Sequence, residues 1–349
     1  TSISVGDFSA LELKEFLKRH QREWATVPPD IRETLRRPLF AALYSYVAVD
    51  ANWHPRNEYQ LCSCYWERLG LSDHPHDVTV VKRLAKTLLD DAAPYPWPGQ
   101  TFLDHRIDDE TRKRLEAVGW LRRLDGDKAA VWHDRLLNWA LAQSIADELQ
   151  SAAVNREELL LFVSRQWDPG SRCGNRRFGY LPADLLWILA NASTSNASAL
   201  IVDLLMRLEG SHPMSLNVQS FYKTILPTIG EAILKPVLSR MELAATSDSK
   251  PLPAYVATTF IELAPIAADH VTKLSTAMLR SERHEVKQVA LHVLKKVPSK
   301  DALNKLWAMH CDNIAALDQK ANELRFRNYE LSLEALRSCI ALEPEWIAI

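Results

Sequence analysis

The sequence predicts a mostly α-helical chain: a small helical domain, a winged-helix domain with one β-hairpin, then an α-solenoid of stacked helix pairs, over residues 1–52, 53–150 and 151–349. Three observations carry that expectation. Ten glycines stand against 18 prolines, and Ala- and Leu-rich amphipathic segments alternate with proline-bounded breaks, the composition of helices separated by turns. The stretch from Gly119 to Ala142, GWLRRLDGDKAAVWHDRLLNWALA, reads as strand, tight turn, strand and helix. From Leu181 onward, apolar segments of helical period follow one another in pairs.

Ser9 followed by Glu12 is a capping box. The helix it opens carries Leu11, Leu13, Phe16 and Leu17 inward. A turn at Val27-Pro28-Pro29-Asp30 begins a helix expected from Ile31 to Val49. Inside it, Pro38 of Leu35-Arg36-Arg37-Pro38-Leu39-Phe40 breaks the hydrogen-bond ladder where an apolar run begins. Taken alone, such a proline is a kink at a helix corner.

Asn57 to Gly70 and Val78 to Leu89 supply two helices ahead of the wing. Between them, Ser72-Asp73-His74-Pro75-His76-Asp77 gathers two histidines and two carboxylates, with His54, Cys62 and Cys64 near in sequence. Cys-x-Cys lacks the two-residue gap of common zinc knuckles and no second cysteine pair answers it, so a polar cap is preferred to a metal site. The stiff, aromatic loop Pro94-Tyr95-Pro96-Trp97-Pro98-Gly99 is expected to pack over the core. Asp108-Asp109-Glu110-Thr111 starts a helix that carries Leu115 and Val118 into the hairpin.

In the hairpin, Trp120 to Leu124 and Ala129 to Trp132 flank Asp125-Gly126-Asp127-Lys128, where glycine can take the positive φ of a short turn. Asp134 is expected to accept the backbone N–H bonds of the following helix, whose Leu136, Leu137, Ala140, Leu141 and Ile145 recur at helical spacing. Winged helices also bind DNA through the helix before the wing. Here Arg112, Lys113, Arg114, Arg122 and Arg123 stand among Asp108, Asp109, Glu110 and Glu116, so nucleic acid ranks second as a partner.

Trp132-His133-Asp134 resembles the Met-His-Asp signature of the winged-helix domain in signal-transducing ATPases with numerous domains, the STAND family of plant resistance proteins, NACHT receptors and bacterial defence ATPases. Trp132 replaces the usual Met. The resemblance implies that His133 touches the terminal phosphate of bound ADP and holds a closed state. The pattern around Pro38 is similar to that family's small helical domain, where a Pro before Leu packs on the adenine side. Together they imply a cofactor, ADP or ATP, supplied mainly by an upstream nucleotide-binding domain and not held by this segment alone. Without the family, the same three residues at His133 read as an ordinary helix cap.

Past the winged helix, Glu157 to Arg165 begins a helix that Trp167-Asp168-Pro169-Gly170 breaks. Arg172, Arg176 and Arg177 follow in a loop rich in Gly and Asn; three arginines can grip an anion, and a solvated hinge is the preferred reading. Expected pairs are Leu181–Ala190 with Ala199–Leu208, Val218–Leu226 with Glu231–Leu243, Tyr255–Leu263 with Val271–Arg280, and Glu285–Lys296 with Asp301–His310, closed by a helix around Leu324 to Ile340. Breaks are expected at Pro213, Pro227, Pro251, Pro253, Pro265 and Pro298. The spacing, roughly 35 to 45 residues, is that of HEAT-like repeats. In the STAND family an array at this place is the sensor that meets the trigger, which implies a protein trigger here.

The 349 residues carry 42 basic and 44 acidic side chains, no general pull toward nucleic acid or acidic membranes. Five cysteines at no regular spacing read as free thiols of a reducing cytoplasm. No apolar run reaches the roughly 18 residues of a membrane span. There is no G-x-x-x-x-G-K-[ST] loop, no G-x-S-x-G elbow and no other catalytic pattern, so no catalytic residue is assigned. The first residue is Thr1, consistent with the later part of a longer polypeptide. The expected function is the regulatory, ligand-sensing region of a STAND-type ATPase in bacterial antiviral or stress defence, passing from an ADP-held closed state to an active homo-oligomer. The alternative is a winged-helix and HEAT-like scaffold or nucleic-acid adaptor without nucleotide control.

Overall fold

The computed structural model describes residues 6–47, 54–70, 74–90, 93–151, 156–166, 178–192, 196–207, 224–246, 252, 254–317 and 323–341. The chain divides into two compact units, Thr1–Ser151 with Asn175–Trp187, and Ala152–Gly174 with Ile188–Ile349. The two domains read from the sequence before residue 150 therefore share one unit, and 175–187, assigned to the array, belongs with them.

In the first unit the capping box forms: Glu12 N donates to Ser9 Oγ at 3.2 Å and Ser9 N to Glu12 Oε2 at 2.7 Å, opening α1 (Ala10–Arg19). Leu13 and Leu17 are fully buried, but Leu11 is 75% exposed and does not face inward as expected. The expected helix from Ile31 to Val49 is not one helix. Two 3-10 turns, Pro29–Ile31 and Thr34–Arg36, precede α2 (Pro38–Val47), and Val49 lies outside the described residues. Pro38 begins α2 and does not kink a longer helix: at a first position its missing N–H costs nothing and its φ is already helical.

Next come α3 (Glu58–Gly70), α4 (His76–Lys86), β1 (Trp97–Pro98), α5 (Gly99–Asp104), α6 (Asp109–Ala117), β2 (Leu121–Leu124), β3 (Lys128–Val131) and α7 (Asp134–Gln150). The hairpin pairs Leu121 with Val131 and Leu124 with Lys128; Gly126 and Asp127 turn it at φ 71° and 57°. A third strand joins it, since Trp97 and Pro98 pair antiparallel with Ala129 and Lys128, giving the order β1-β3-β2. Trp97 is buried and its Nε1 donates to Thr87 Oγ1 at 3.0 Å, so the proline-rich loop packs over the core.

α6 is entered through Asp108, which accepts from Thr111 N at 2.7 Å. It is left through Gly119 at φ 79°, where Trp120 N reaches Leu115 O at 2.9 Å and Gly119 N reaches Glu116 O at 3.2 Å. That pair of bonds is a Schellman ending, which needs a residue tolerant of the left-handed region. It delivers Trp120 against Tyr65 and Trp66, at ring-centroid distances of 5.4 and 5.1 Å.

The second unit contains α8 (Arg156–Gln166), α10 (Ala197–Arg207), α11 (Leu226–Thr246), α12 (Ala254–Leu263), α13 (Ala268–Met278), α14 (His284–Lys296), α15 (Leu303–Leu317) and α16 (Glu323–Ile340). α9 (Leu181–Ala190) lies in the first unit as far as Trp187. Each helix of the second unit packs on its neighbour in sequence or the next but one: α10 on α11, α11 on α12, α12 on α14, α13 on α14, and α14 and α15 on α16. That stepped pattern is how helix pairs stack. No break falls at Pro227: α11 continues through Pro227 and Pro236, and most of the expected partner helix, 218–223, lies outside the described residues. Ile233, Val237 and Met241, all fully buried, supply the packing that outweighs the proline penalty. Breaks do fall at Pro265 and Pro298, whereas Pro213, Pro251, Pro253 and the Arg172, Arg176, Arg177 loop lie outside the described residues. Among the described residues no helix is long and apolar enough to cross a membrane.

Candidate functional site

Two helix N-termini of the first unit open on one cavity. At α2, Arg37 has extended backbone angles (φ −74°, ψ 121°), and its carbonyl accepts from Phe40 N and Ala41 N at 3.0 and 3.2 Å. At α7 the cap is His133, not Asp134 as expected. His133 is extended (φ −149°, ψ 141°) and its Nδ1 accepts from Arg135 N at 3.0 Å, while Asp134 is the first helical residue. An extended residue just before the helix turns its side chain back over the free N–H groups; one position later the side chain points outward. An Nδ1 that accepts a hydrogen bond places the proton of the neutral ring on Nε2, leaving Nε2–H as a free donor direction. Burial holds the His133 pKa below its ordinary value, assisted by Arg135 and Arg122 and opposed by Asp134. That shift favours the neutral ring.

The cavity measures about 580 Å³, and both residues singled out in the sequence, Pro38 and His133, line it. Phe16, Phe40, Trp132 and Tyr180 add aromatic surface, Arg37 and Arg135 add cations, and the exposed Asp7 adds an acid. Pockets of about 300 to 1,000 Å³ are the size that takes a small organic ligand. Flat apolar walls, two guanidiniums and an imidazole donor suit a ligand with a planar ring and an anionic group.

Beneath the cavity lies a buried ionic network that sequence reading missed. The Arg135 side chain is 1% exposed and pairs through Nη1 with Asp184 Oδ2, itself 0% exposed. Arg135 Nη2 stands 3.6 Å from Glu58 Oε1, and Glu58 Oε2 accepts from Arg37 Nη2. The Arg135 guanidinium also lies 5.0 Å from the centre of the Tyr180 ring, 5.5 Å from Tyr59 and 5.8 Å from Trp139, and Arg37 lies 4.3 Å over Phe40. Burial works against the Arg135 charge, but Asp184 and Glu58 hold its pKa above the usual arginine value. Burial pushes Asp184 up to about 7, against the pull of Arg135. Asn138, fully buried, accepts from Tyr180 N at 3.2 Å and so ties the segment leading to Asp184 onto α7. The signal was available in part: Asp184 is the lone charge of the apolar run LPADLLWILA, and Arg135 stands directly before the uncharged run LLNWALA.

Two of the five basic residues around the wing are spent inside the fold. Arg112 is buried and pairs with Glu116 at 3.3 Å and Asp127 at 2.9 Å. Arg114 grips the buried Asp77 with Nε at 3.3 Å and Nη2 at 3.0 Å. Lys113, Arg122 and Arg123 are the members left exposed. Asp77 thus serves a structural ion pair, Ser72 and Asp73 lie outside the described residues, and among the described residues no group of three or more His, Cys, Asp and Glu could hold a metal. Burial pushes the Cys62 thiol up to about 12, so it is not a thiolate nucleophile. Comparison of the chain with known protein families, with curated proteins and with solved structures finds no match.

Proposed function

We propose that the chain is the regulatory and sensing region of a STAND-type ATPase, and that the cavity between the starts of α2 and α7 is its contribution to the nucleotide site. The single observation that supports this reading is that Pro38 and His133, picked out separately by their resemblance to two family motifs, line the same cavity. The neutral His133 has an Nε2–H to give to a phosphate oxygen, and both helix N-termini favour negative charge at that place. Pro38, Phe40 and Trp132 form the wall on which a purine would lie. ADP or ATP would be held mainly by an upstream nucleotide-binding domain. The helical array of the second unit would take a protein trigger, and the active state would be a homo-oligomer in bacterial defence.

In this mechanism His133 gives a hydrogen bond that exists only in the closed state. One bond to a charged group contributes about 1.5 to 3 kcal/mol, which moves a two-state population by about one to two decades. His133→Ala in the intact protein should therefore oligomerise and signal without its trigger. A variant that folds normally, binds ADP as tightly as the parent and stays silent would remove the assignment.

A further inference from the structure

Of the two carboxylates in the buried network, Asp184 is committed: it is 0% exposed and closed against Arg135. Glu58 is not. Its side chain is 11% exposed and reaches two cations at once, Arg37 through Oε2 and, more loosely at 3.6 Å, Arg135 through Oε1. Arg37 is 37% exposed and lines the cavity, so an anion entering there meets a guanidinium that Glu58 already occupies. Arg135 also lines the cavity, and its buried Nε and Nη2 lack a hydrogen-bond acceptor.

We infer that the cavity is a phosphate-type oxyanion site that Glu58 guards by competition, and that the incoming anion takes Arg37 while the Glu58 carboxylate is handed on to Arg135. The exchange keeps Arg37 paired and leaves Arg135 shared between Asp184 and Glu58, the added negative charge being that of the ligand. Before it, Glu58 neutralises Arg37 and leaves Arg135 Nη2 unsatisfied; after it, the ligand neutralises Arg37 and Glu58 gives that buried donor an acceptor. Leaving a buried donor unmade is what makes such a network costly, so the handover recovers part of the cost of separating Glu58 from Arg37. The arginine fork matches two oxygens of one phosphate group, which a lysine ammonium cannot do. Glu58 is the first residue of α3, so the exchange acts directly on that helix's start. This inference deepens the nucleotide reading of the same cavity, but requires only an oxyanion.

The test is calorimetric titration of this chain with inorganic pyrophosphate and, separately, of the intact protein with ADP. Glu58→Gln, which removes the competing charge, should bind pyrophosphate about tenfold more tightly, and Arg37→Lys about tenfold more weakly. Thermal unfolding serves as the control for folding; Arg37→Lys, at a partly exposed side chain, keeps the test open if Glu58→Gln does not fold. Folded Glu58→Gln with unchanged or weaker pyrophosphate affinity overturns the competition, as does Arg37→Lys with unchanged affinity. His133→Ala separates the two readings. If it loses ADP while Glu58→Gln leaves pyrophosphate unaffected, the nucleotide reading stands and the competition falls. If it leaves ADP unaffected while Glu58→Gln tightens pyrophosphate, the competition stands and the nucleotide reading falls.

Discussion

In the first unit the space between α7 and α9 is filled by Arg135 closed on Asp184, with Tyr59, Trp139 and Tyr180 facing the guanidinium. In the second unit the equivalent space holds hydrocarbon: Val286, Ala290, Leu291, Val293 and Leu294 of α14 and Ala335 and Leu336 of α16 are all 2% exposed or less. The ion pairs of the second unit, such as Arg156 with Asp203 at 2.5 Å and Lys296 with Glu262 at 2.7 Å, sit on partly exposed side chains. The difference is one of tolerance. Aliphatic packing accepts exchanges of similar volume, whereas a buried guanidinium accepts only the arrangement that brings its carboxylates. The proposed switch site would stand on the second kind of interior, where pairing is discrete.

The largest effect should come from breaking one half of that ion pair. Asp184→Ala leaves Arg135 charged and buried, and should cost the first unit about 3 to 5 kcal/mol in a denaturant titration followed by tryptophan fluorescence. Combining Arg135→Met with Asp184→Leu should restore most of that loss, because a packed apolar pair carries no desolvation cost. If the double variant is as unstable as Asp184→Ala alone, the contrast between the units fails. Next in size is Leu291→Ala at a fully buried position of α14, expected to cost about 2 to 4 kcal/mol through lost burial and a cavity, with no partner substitution that rescues it.

The smallest expected effect is a pH dependence at the cavity rim. The folded His133 pKa lies below its ordinary value of 6.5, chiefly through burial. The unfolded chain therefore binds the proton more readily, and the stability His133 contributes is present above pH 6.5 and lost as pH falls through the folded value. His292 and His310 are lowered in the same sense and Asp184, raised to about 7, acts in the opposite one, so the share of His133 is read from the difference between variant and parent. His133→Asn keeps a capping side chain and should make the slope of stability against pH less positive than the parent's between about pH 5 and pH 7. An unchanged slope would place the ring in water, away from the cavity.

Much of this architecture was legible beforehand, where neighbours in sequence are also neighbours in space. The Ser9–Glu12 capping box, the Asp108 cap, the Gly126 turn and α12 to α16 all depend on contacts a few residues apart. Errors gathered where two local readings compete. Asp134 and His133 are both able to cap, and the extended backbone of His133 decided between them. Pro38 serves equally as a kink or a beginning, and the 3-10 turns before it made it a beginning. The strand at Trp97–Pro98 is two residues long and carries no period to detect; pairing with β3 alone defines it.

What the amino-acid sequence determined by itself is most of the helices and the hairpin; Pro38 and His133, picked out by resemblance, both line the cavity. Periodicity, caps and turn chemistry are short-range physics, and a linear chain states them directly. The tertiary structure alone decided that these two residues share a wall, that Arg37 and Arg135 stand beside them, and that Glu58 lies between the two cations. Charges far apart along a chain have no preferred partner until burial removes water as the alternative, and burial is a property of the assembled fold.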